Sequence, residues 1–372
     1  MITIQSIELY RISMELKAPF VTANGAYVDR ETILIEVTDR EGNCGWGECV
    51  AFATPWYTEE TVQGSWHILQ SFLIPTLLGV TLKHPNEIPN IFSNVKRNQM
   101  AKAGLEMAIW DLYSQLIGQP LHQLIGGVKE ELKVGVAIGL QSSMDEYYRL
   151  IDHYSADGYE RMKIKIKPGN DITLVEALRS RYPKLPLMVD ANSAYDLNDI
   201  AHLQQLDDYN LMMIEQPLAA DDIVDHAKLQ AKMNTPICLD ESIITYDDAR
   251  KAIELGSCQV INVKLGRVGG MTEAIRIHDL CKEHDIAIWC GGMLESGIGR
   301  AHNMALASLS HFTIPGDISA SARYWHKDVI LPEVKIEHGG VLLPSGAGIG
   351  FEVNKEYIEH LALERLKLNH SR

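Results

Sequence analysis

No run of about 18 uncharged apolar residues occurs in this sequence, which argues against a membrane-spanning helix. The N-terminal MITIQSIELYRIS alternates polar and apolar residues without a basic head, an unbroken apolar core or a small-residue cleavage site, so no secretion signal is expected. Basic residues are in short supply: 34 Lys and Arg stand against 49 Asp and Glu, a formal net charge of −15. With no basic cluster beyond one short stretch, neither nucleic acid nor an anionic membrane is an expected partner. The six cysteines (Cys44, Cys49, Cys238, Cys258, Cys281, Cys290) form no CxxC pair and several lie in apolar segments. They read as reduced core thiols of a cytoplasmic protein. None of the fourteen histidines forms HxH or HExxH, and His302 and His311 are read as structural. GAGIG (346–350) does not open a strand-to-helix turn followed by an acidic residue, so it is not read as a dinucleotide loop.

What the sequence does have is a concentration of lysine in an acidic chain. KIKIKPG (163–169) points Lys163, Lys165 and Lys167 to one side of a strand while Ile164 and Ile166 face the other. Lys167, just before Pro168, is expected to be exposed. Downstream, PLMVDAN (186–192), LMMIEQP (211–217), TPICLDE (235–241) and QVINVK (259–264) are apolar, strand-like runs ending in charge. The charged residues Lys165, Asp190, Glu215, Asp240 and Lys264 recur at intervals of 25, 25, 25 and 24. Helical patterns lie between them at 171–182, 221–233 and 245–256. A strand and a helix every ~25 residues is the rhythm of an eight-unit α/β barrel. Extending it both ways puts the remaining strand ends near Leu140, Gly291 and Gly292, and Asp317.

Residues at the C-terminal ends of barrel strands line one pocket. Asp190, Glu215 and Asp240 would then cluster on the third to fifth strands, and like charges withdrawn from water persist only when a cation compensates them. Oxygen ligands without a neighbouring His or Cys favour a hard ion, Mg²⁺, with Mn²⁺ as the alternative. Lys165 and Lys264, on the second and sixth strands, would face each other across a small-molecule carboxylate substrate. That set suits removal of a proton α to a carboxylate, with the cation stabilising the enediolate as it forms. A neutral lysine base needs a lowered pKa, which Lys163 beside Lys165 is expected to provide.

KIKIK, VDAN, IEQP, LDES and NVKLGRVGG, in this order, resemble the muconate-lactonizing subgroup of the enolase superfamily, and the likeness covers nearly the whole chain. In that superfamily, lysine or histidine bases acting with Mg²⁺ are the established pattern. GWGE (45–48) and AKAGLEMAIWDLYSQLIGQPLHQLIGG (101–127) are similar to its capping domain, and CGGMLESGIGRAHN (290–303) to its seventh-strand segment. PWYTEET (55–61), RMKIKIKPG and GGMLESGIGRA most resemble the o-succinylbenzoate synthases and the N-acylamino acid racemases intermixed with them.

The resemblance implies a (β/α)7β barrel of the TIM type with a discontinuous α+β capping domain. The cap would comprise residues 1–125, the barrel 126–324, and a segment 325–372 would pack back on the cap. It implies Asp190, Glu215 and Asp240 as metal ligands and Lys165 and Lys264 as the acid–base pair, with Lys163 tuning Lys165. Asn192 would contact substrate, and Arg267 would alter the surroundings of Lys264. Gly291, Gly292 and Met293, with Phe20 on the 16–27 loop, are further expected substrate contacts. Glu241, next after a ligand on a strand, is expected to point away and support the ligands from behind. The loops 16–27 and 51–60, the latter with Phe52 and Trp56, could close over the pocket or simply pack as turns. The activity implied is a lyase reaction, the o-succinylbenzoate synthase dehydration of menaquinone biosynthesis, with N-acyl or N-succinyl amino acid racemisation, in a homo-oligomer. A dipeptide epimerase, a cycloisomerase or a catalytically silent barrel are the alternatives, although Asp317 stands in DIS where an epimerase would show Asp-x-Asp.

Overall fold

The structure is a computed structural model in which residues 1–22 and 25–370 are described, apart from the side chains of residues 20–26. The chain opens with three antiparallel strands, β1 (Ile2–Thr22), β2 (Gly25–Asp39) and β3 (Cys44–Cys49). The long helix α1 (Gln99–Ile117) packs against them, burying Leu105, Ile109 and Leu112 while Leu116 stays 42% exposed.

Parallel strands then follow at the expected rhythm. They are β4 (Gly135–Ile138), β5 (Arg161–Lys165), β6 (Leu187–Asp190), β7 (Ile214–Glu215), β8 (Ile237–Leu239), β9 (Val260–Val263) and β10 (Ala287–Cys290), hydrogen-bonded in sequence order. The first ends at Ile138, two residues short of Leu140, which is surface-exposed. The eighth position is filled by the irregular segment 312–317, which bridges both edges: Phe312 to Ile288 and Gly316 to Val134. Asp317 N–H donates to Cys290 O at 2.9 Å and Gly135 N–H to Gly316 O at 2.8 Å, so the ring closes.

Helices α2 (Met144–Ala156), α3 (Ile172–Arg181), α4 (Ile223–Gln230), α5 (Tyr246–Leu255), α6 (Met271–Glu283) and α7 (Gly297–Ala307) return the chain between strands. Ser143, Asp222 and Thr245 start three of them by accepting from the amide three residues on. Strand residues facing these helices, such as Ile164, Val189, Ile214, Leu239 and Ile261, are fully buried. Each is worth roughly 1.5–3 kcal/mol of apolar burial. The opposite faces point inward, where Met188, Met213, Cys238, Val260 and Trp289 form an apolar floor. The last strand, β11 (Ala362–Asn369), leaves the barrel and pairs antiparallel with β1, giving the sheet order β11-β1-β2-β3. No helix among the described residues is long and apolar enough to cross a membrane.

Close backbone approach holds the cap together, and buried carboxylates join it to the barrel. A Cβ on Gly45 or Gly47 of GWGE would run into the backbone of α1, and one on Gly104 would stand 2.7 Å from Cys49 N. Glycine is therefore what lets β3 lie against α1. From that strand Glu48 accepts from Ser296 N, Ser296 Oγ and Gly299 N at 2.7–3.1 Å, capping α7. From α1, Glu106 accepts from Met271 N and Thr272 N at 2.6 and 2.9 Å, capping α6. Both cap carboxylates thus meet the positive ends of barrel helices. His302 pairs Nε2 with Trp46 O at 2.9 Å across the same junction, a structural role. Gly47→Ala should therefore loosen the packing of β3 on α1 inside the cap, lowering the thermal midpoint by the equivalent of about 1–3 kcal/mol of overpacking. A melting curve indistinguishable from the unaltered protein would show that the close approach is not needed.

Candidate active site

Parallel register sets three charged residues level with one another: Lys165 pairs with Asp190 and Asp190 with Glu215. Asp240 and Lys264 each follow directly on the last residue of β8 and β9. All three carboxylates are at most 1% exposed.

The lysines of the opening stretch go to three different places. Lys167 is exposed. Lys163 is 5% exposed and its ammonium lies 2.8 Å from Asp317 Oδ2, 3.3 Å from Glu215 Oε2 and 3.7 Å from Asp190 Oδ2. Burial alone would depress its pKa, but Asp317, Glu215 and Asp190 hold it above the ordinary lysine value. Lys165 is nearer the surface, its side chain 32% exposed, and donates to Asp190 Oδ2 at 2.6 Å and to Asn192 Oδ1.

Two more residues complete the column, one that sequence reasoning missed and one whose role it left open. Arg161, two before Lys163 on the same face, pairs with Asp317 and stacks 4.6 Å over Trp289. Asp317, left open by its DIS context, is the carboxylate that Arg161 and Lys163 share. Burial opposes its ionisation, yet those two cations hold its pKa far below the usual carboxylate range.

Across the mouth, Lys264 donates to Asp240 Oδ2 at 2.8 Å, and burial, which would lower its pKa, is outweighed by Tyr57, Glu241 and Glu215. Arg267 sits behind it, bonding Asp240, Ile243 O at 2.7 Å and Asn262 O. Gln216, adjacent to Glu215, is a buried hub: its Oε1 accepts from Asp240 N at 3.0 Å and its Nε2 donates to Ser242 Oγ at 2.7 Å. Asn192 and Gln216 both adopt left-handed backbone, with φ of 42° and 39°. Strain of that kind outside glycine gathers where surrounding contacts hold it.

Glu241 does not point away as expected. Strand β8 ends at Leu239, so alternation no longer governs residue 241, and its carboxylate accepts from Asn192 Nδ2 at 3.0 Å. Burial and then Asp190 push its pKa up. Met293 is 5% exposed and packs into the cap core. Gly291 leaves room for the Lys264 stem, since a Cβ there would stand 2.8 Å from Lys264 Cε. Gly292 lies beside Asp317, whose carbonyl oxygen would be 3.0 Å from an added Cβ. The Phe20 side chain lies outside the described residues.

The 51–60 loop reaches the mouth through a residue not singled out from the sequence. Tyr57 Oη donates to Asp240 Oδ1 at 3.2 Å and accepts from Lys264 Nζ at 2.9 Å and Arg267 Nη1 at 3.2 Å. Its neighbours Phe52 and Trp56 pack with it, their ring centroids 4.6 Å apart. The available signal was chemical: among these three rings only tyrosine carries a hydroxyl.

Among the described residues, no three carboxylate, thiol or imidazole side chains stand close enough together to hold a metal ion as they are. The ammonium groups of Lys163, Lys165 and Lys264 stand against the carboxylates instead. The donor chemistry nevertheless fits a hard divalent cation. Glu215 Oε2 is buried without a hydrogen-bond partner, because Lys163 at 3.3 Å is not aligned to donate to it. Burial and then Asp190 raise the Glu215 pKa, the mark of crowded negative charge.

The chain matches the family described as enolase C-terminal domain-like over residues 146–357 and the mandelate racemase / muconate lactonizing enzyme N-terminal domain over 6–126. It is 54% identical over 358 residues to an o-succinylbenzoate synthase of Geobacillus kaustophilus, covering 96% of each chain. It is 43% identical over 360 residues to an N-succinylamino acid racemase of Thermus thermophilus, covering 97% of each. A solved structure of an enolase superfamily member from Listeria innocua matches with a TM-score of 0.97 and 42% identity over the whole of both chains.

Asp317→Asn should expose how much of this site rests on balanced charge. Leaving Arg161 buried without its carboxylate, and Lys163 with Glu215 and Asp190 only, should cost about 3 kcal/mol in urea unfolding. Arg250→Ala, which breaks the solvent-facing Arg250–Glu254 pair, should cost little or nothing. Equal costs would contradict a buried, charge-compensated interior.

Proposed function

The chain belongs to the mandelate racemase and muconate lactonizing enzymes of the enolase superfamily, and from that premise we propose that it is an o-succinylbenzoate synthase that also racemises N-succinyl amino acids. Both reactions begin with removal of a proton α to a carboxylate. The observation that carries the reading is the pair of amines on opposite sides of one charged mouth, Lys165 beside Asp190 and Lys264 beside Asp240.

Asp190, Glu215 and Asp240 would hold a divalent cation. Bound there, it would stabilise the negative charge that builds on the substrate carboxylate. Lys165, as a neutral amine, takes the α-proton. The C–H electron pair moves toward the carboxylate and an N–H bond forms. In the dehydration, the hydroxyl on the adjacent carbon of the cyclohexadiene carboxylate then departs, takes up the proton that Lys165 now carries and leaves as water, which returns Lys165 to its neutral form, and Lys264 serves as a cation near the developing charge. In the racemisation, Lys264 returns a proton to the opposite face, and the roles exchange for the other enantiomer. Lys163, kept charged by Asp317, supplies fixed positive charge beside the substrate carboxylate. Asn192 holds Lys165 and Glu241 in place from between them.

Lys165→Ala and Lys264→Ala should each abolish racemisation and slow dehydration by about 10²–10³-fold or more, the scale of losing one group that acts on developing charge. Exhaustive chelation should remove both activities, and Mg²⁺ or Mn²⁺ should restore them. Full turnover after chelation, or racemisation by either single-lysine variant at an unaltered rate, would refute the assignment.

A further inference from the structure

We propose that Tyr57 is the positioning residue through which the capping domain sets Lys264, and that it acts on one face of the substrate only. The inference rests on the two-lysine reading above. A phenol has one proton and two lone pairs, and all three are used here, toward Asp240, Lys264 and Arg267. Its ring also lies 4.5 Å from the Lys264 ammonium, a cation–π contact. Among the described residues no other cap side chain hydrogen-bonds a lysine of the mouth. Lys165 is held from within the barrel, by Asp190 and Asn192. Lys264 therefore has a cap partner beside its barrel partner Asp240, whereas Lys165 has barrel partners alone.

The loop that carries Tyr57 is tied down at both ends. Arg30 donates to Val50 O at 2.6 Å and Ala51 O at 2.7 Å, with Phe52 stacked 4.3 Å from its guanidinium, and it also reaches Leu294 O in the seventh barrel loop. At the other end Glu60 accepts from Met100 N at 3.0 Å and Ala101 N at 3.3 Å, where the N-terminus of α1 lacks a side-chain cap from Asn98. A loop anchored this way delivers its hydroxyl to a fixed point. Exposure follows the same asymmetry, with the Lys264 side chain at 8% and that of Lys165 at 32%.

Tyr57→Phe keeps the ring, the packing and the cation–π contact and removes only the hydroxyl bridge. The test is α-proton exchange in D₂O by the Mn²⁺-loaded enzyme, with the separate enantiomers of N-succinylphenylalanine. Lys165→Ala and Lys264→Ala identify which enantiomer each lysine serves. Tyr57→Phe should slow exchange of the Lys264-served enantiomer by at least about tenfold and leave the other within about twofold, as expected for losing one hydrogen bond to a charged group. A merely structural hydroxyl would slow both alike. Equal slowing, or none, overturns the proposal. If the unaltered enzyme exchanges neither enantiomer, the reaction assignment fails instead.

Discussion

Three carboxylates held out of water at the ends of adjacent strands set the terms for everything around them. Asp190, Glu215 and Asp240 cannot stay ionised together in a low-dielectric interior unless positive charge stands close by. The barrel supplies it from every side: Lys163 and Lys165 from one strand, Lys264 and Arg267 from the opposite wall. Asp317 then balances the cations that penetrate deepest, Arg161 and Lys163. The apolar floor of Met188, Met213, Cys238, Val260 and Trp289 closes the site from below and gives the deepest cations an aromatic face instead of water. Each charged group is tolerable only because the others are there, so the site forms as a unit.

The same device, a buried carboxylate with its acceptors filled, fixes the cap. Glu48 and Glu106 are at most 1% exposed, and burial pushes both pKa values up despite the hydrogen bonds that oppose it. They cap α7 and α6, the helices that come after the two barrel strands nearest Lys264 and Gly291. A cap anchored to those helices is anchored to the site wall. That is why a loop from the cap sheet can place a hydroxyl between Lys264 and Asp240.

The comb of charges was legible because parallel strands in register repeat at a fixed chain interval, and the structure puts Lys165, Asp190 and Glu215 level for that reason. Alternation also separated Lys163 and Lys165 from Ile164 and Ile166, and the same rule read one step upstream would have found Arg161. The rule failed where the strand stopped: Glu241 lies beyond Leu239, and its direction is set by a turn. Met293 and Tyr57 were opaque for another reason. Whether a loop residue meets substrate, the cap core or a lysine depends on contacts more than a hundred residues away, and no local period records them. Tyr57 to Lys264 spans 207 positions.

One scaffold can serve both a dehydration and a racemisation because the two reactions differ only after the first proton has left. Under the proposed chemistry, Lys165 performs the shared step, and its partners Asp190 and Asn192 belong to the barrel. The later steps are decided on the opposite wall. A dehydration asks Lys264 only to remain charged, which a crowd of carboxylates and a phenol hydroxyl favours. A racemisation asks it to give up and take back a proton, which the same crowd resists. Arg267 bonds Oδ1 of Asp240 while Lys264 bonds Oδ2, so two cations share that one carboxylate. The groups that surround Lys264, rather than the lysine itself, are therefore where selection between the two reactions can act with the least disturbance to the shared step.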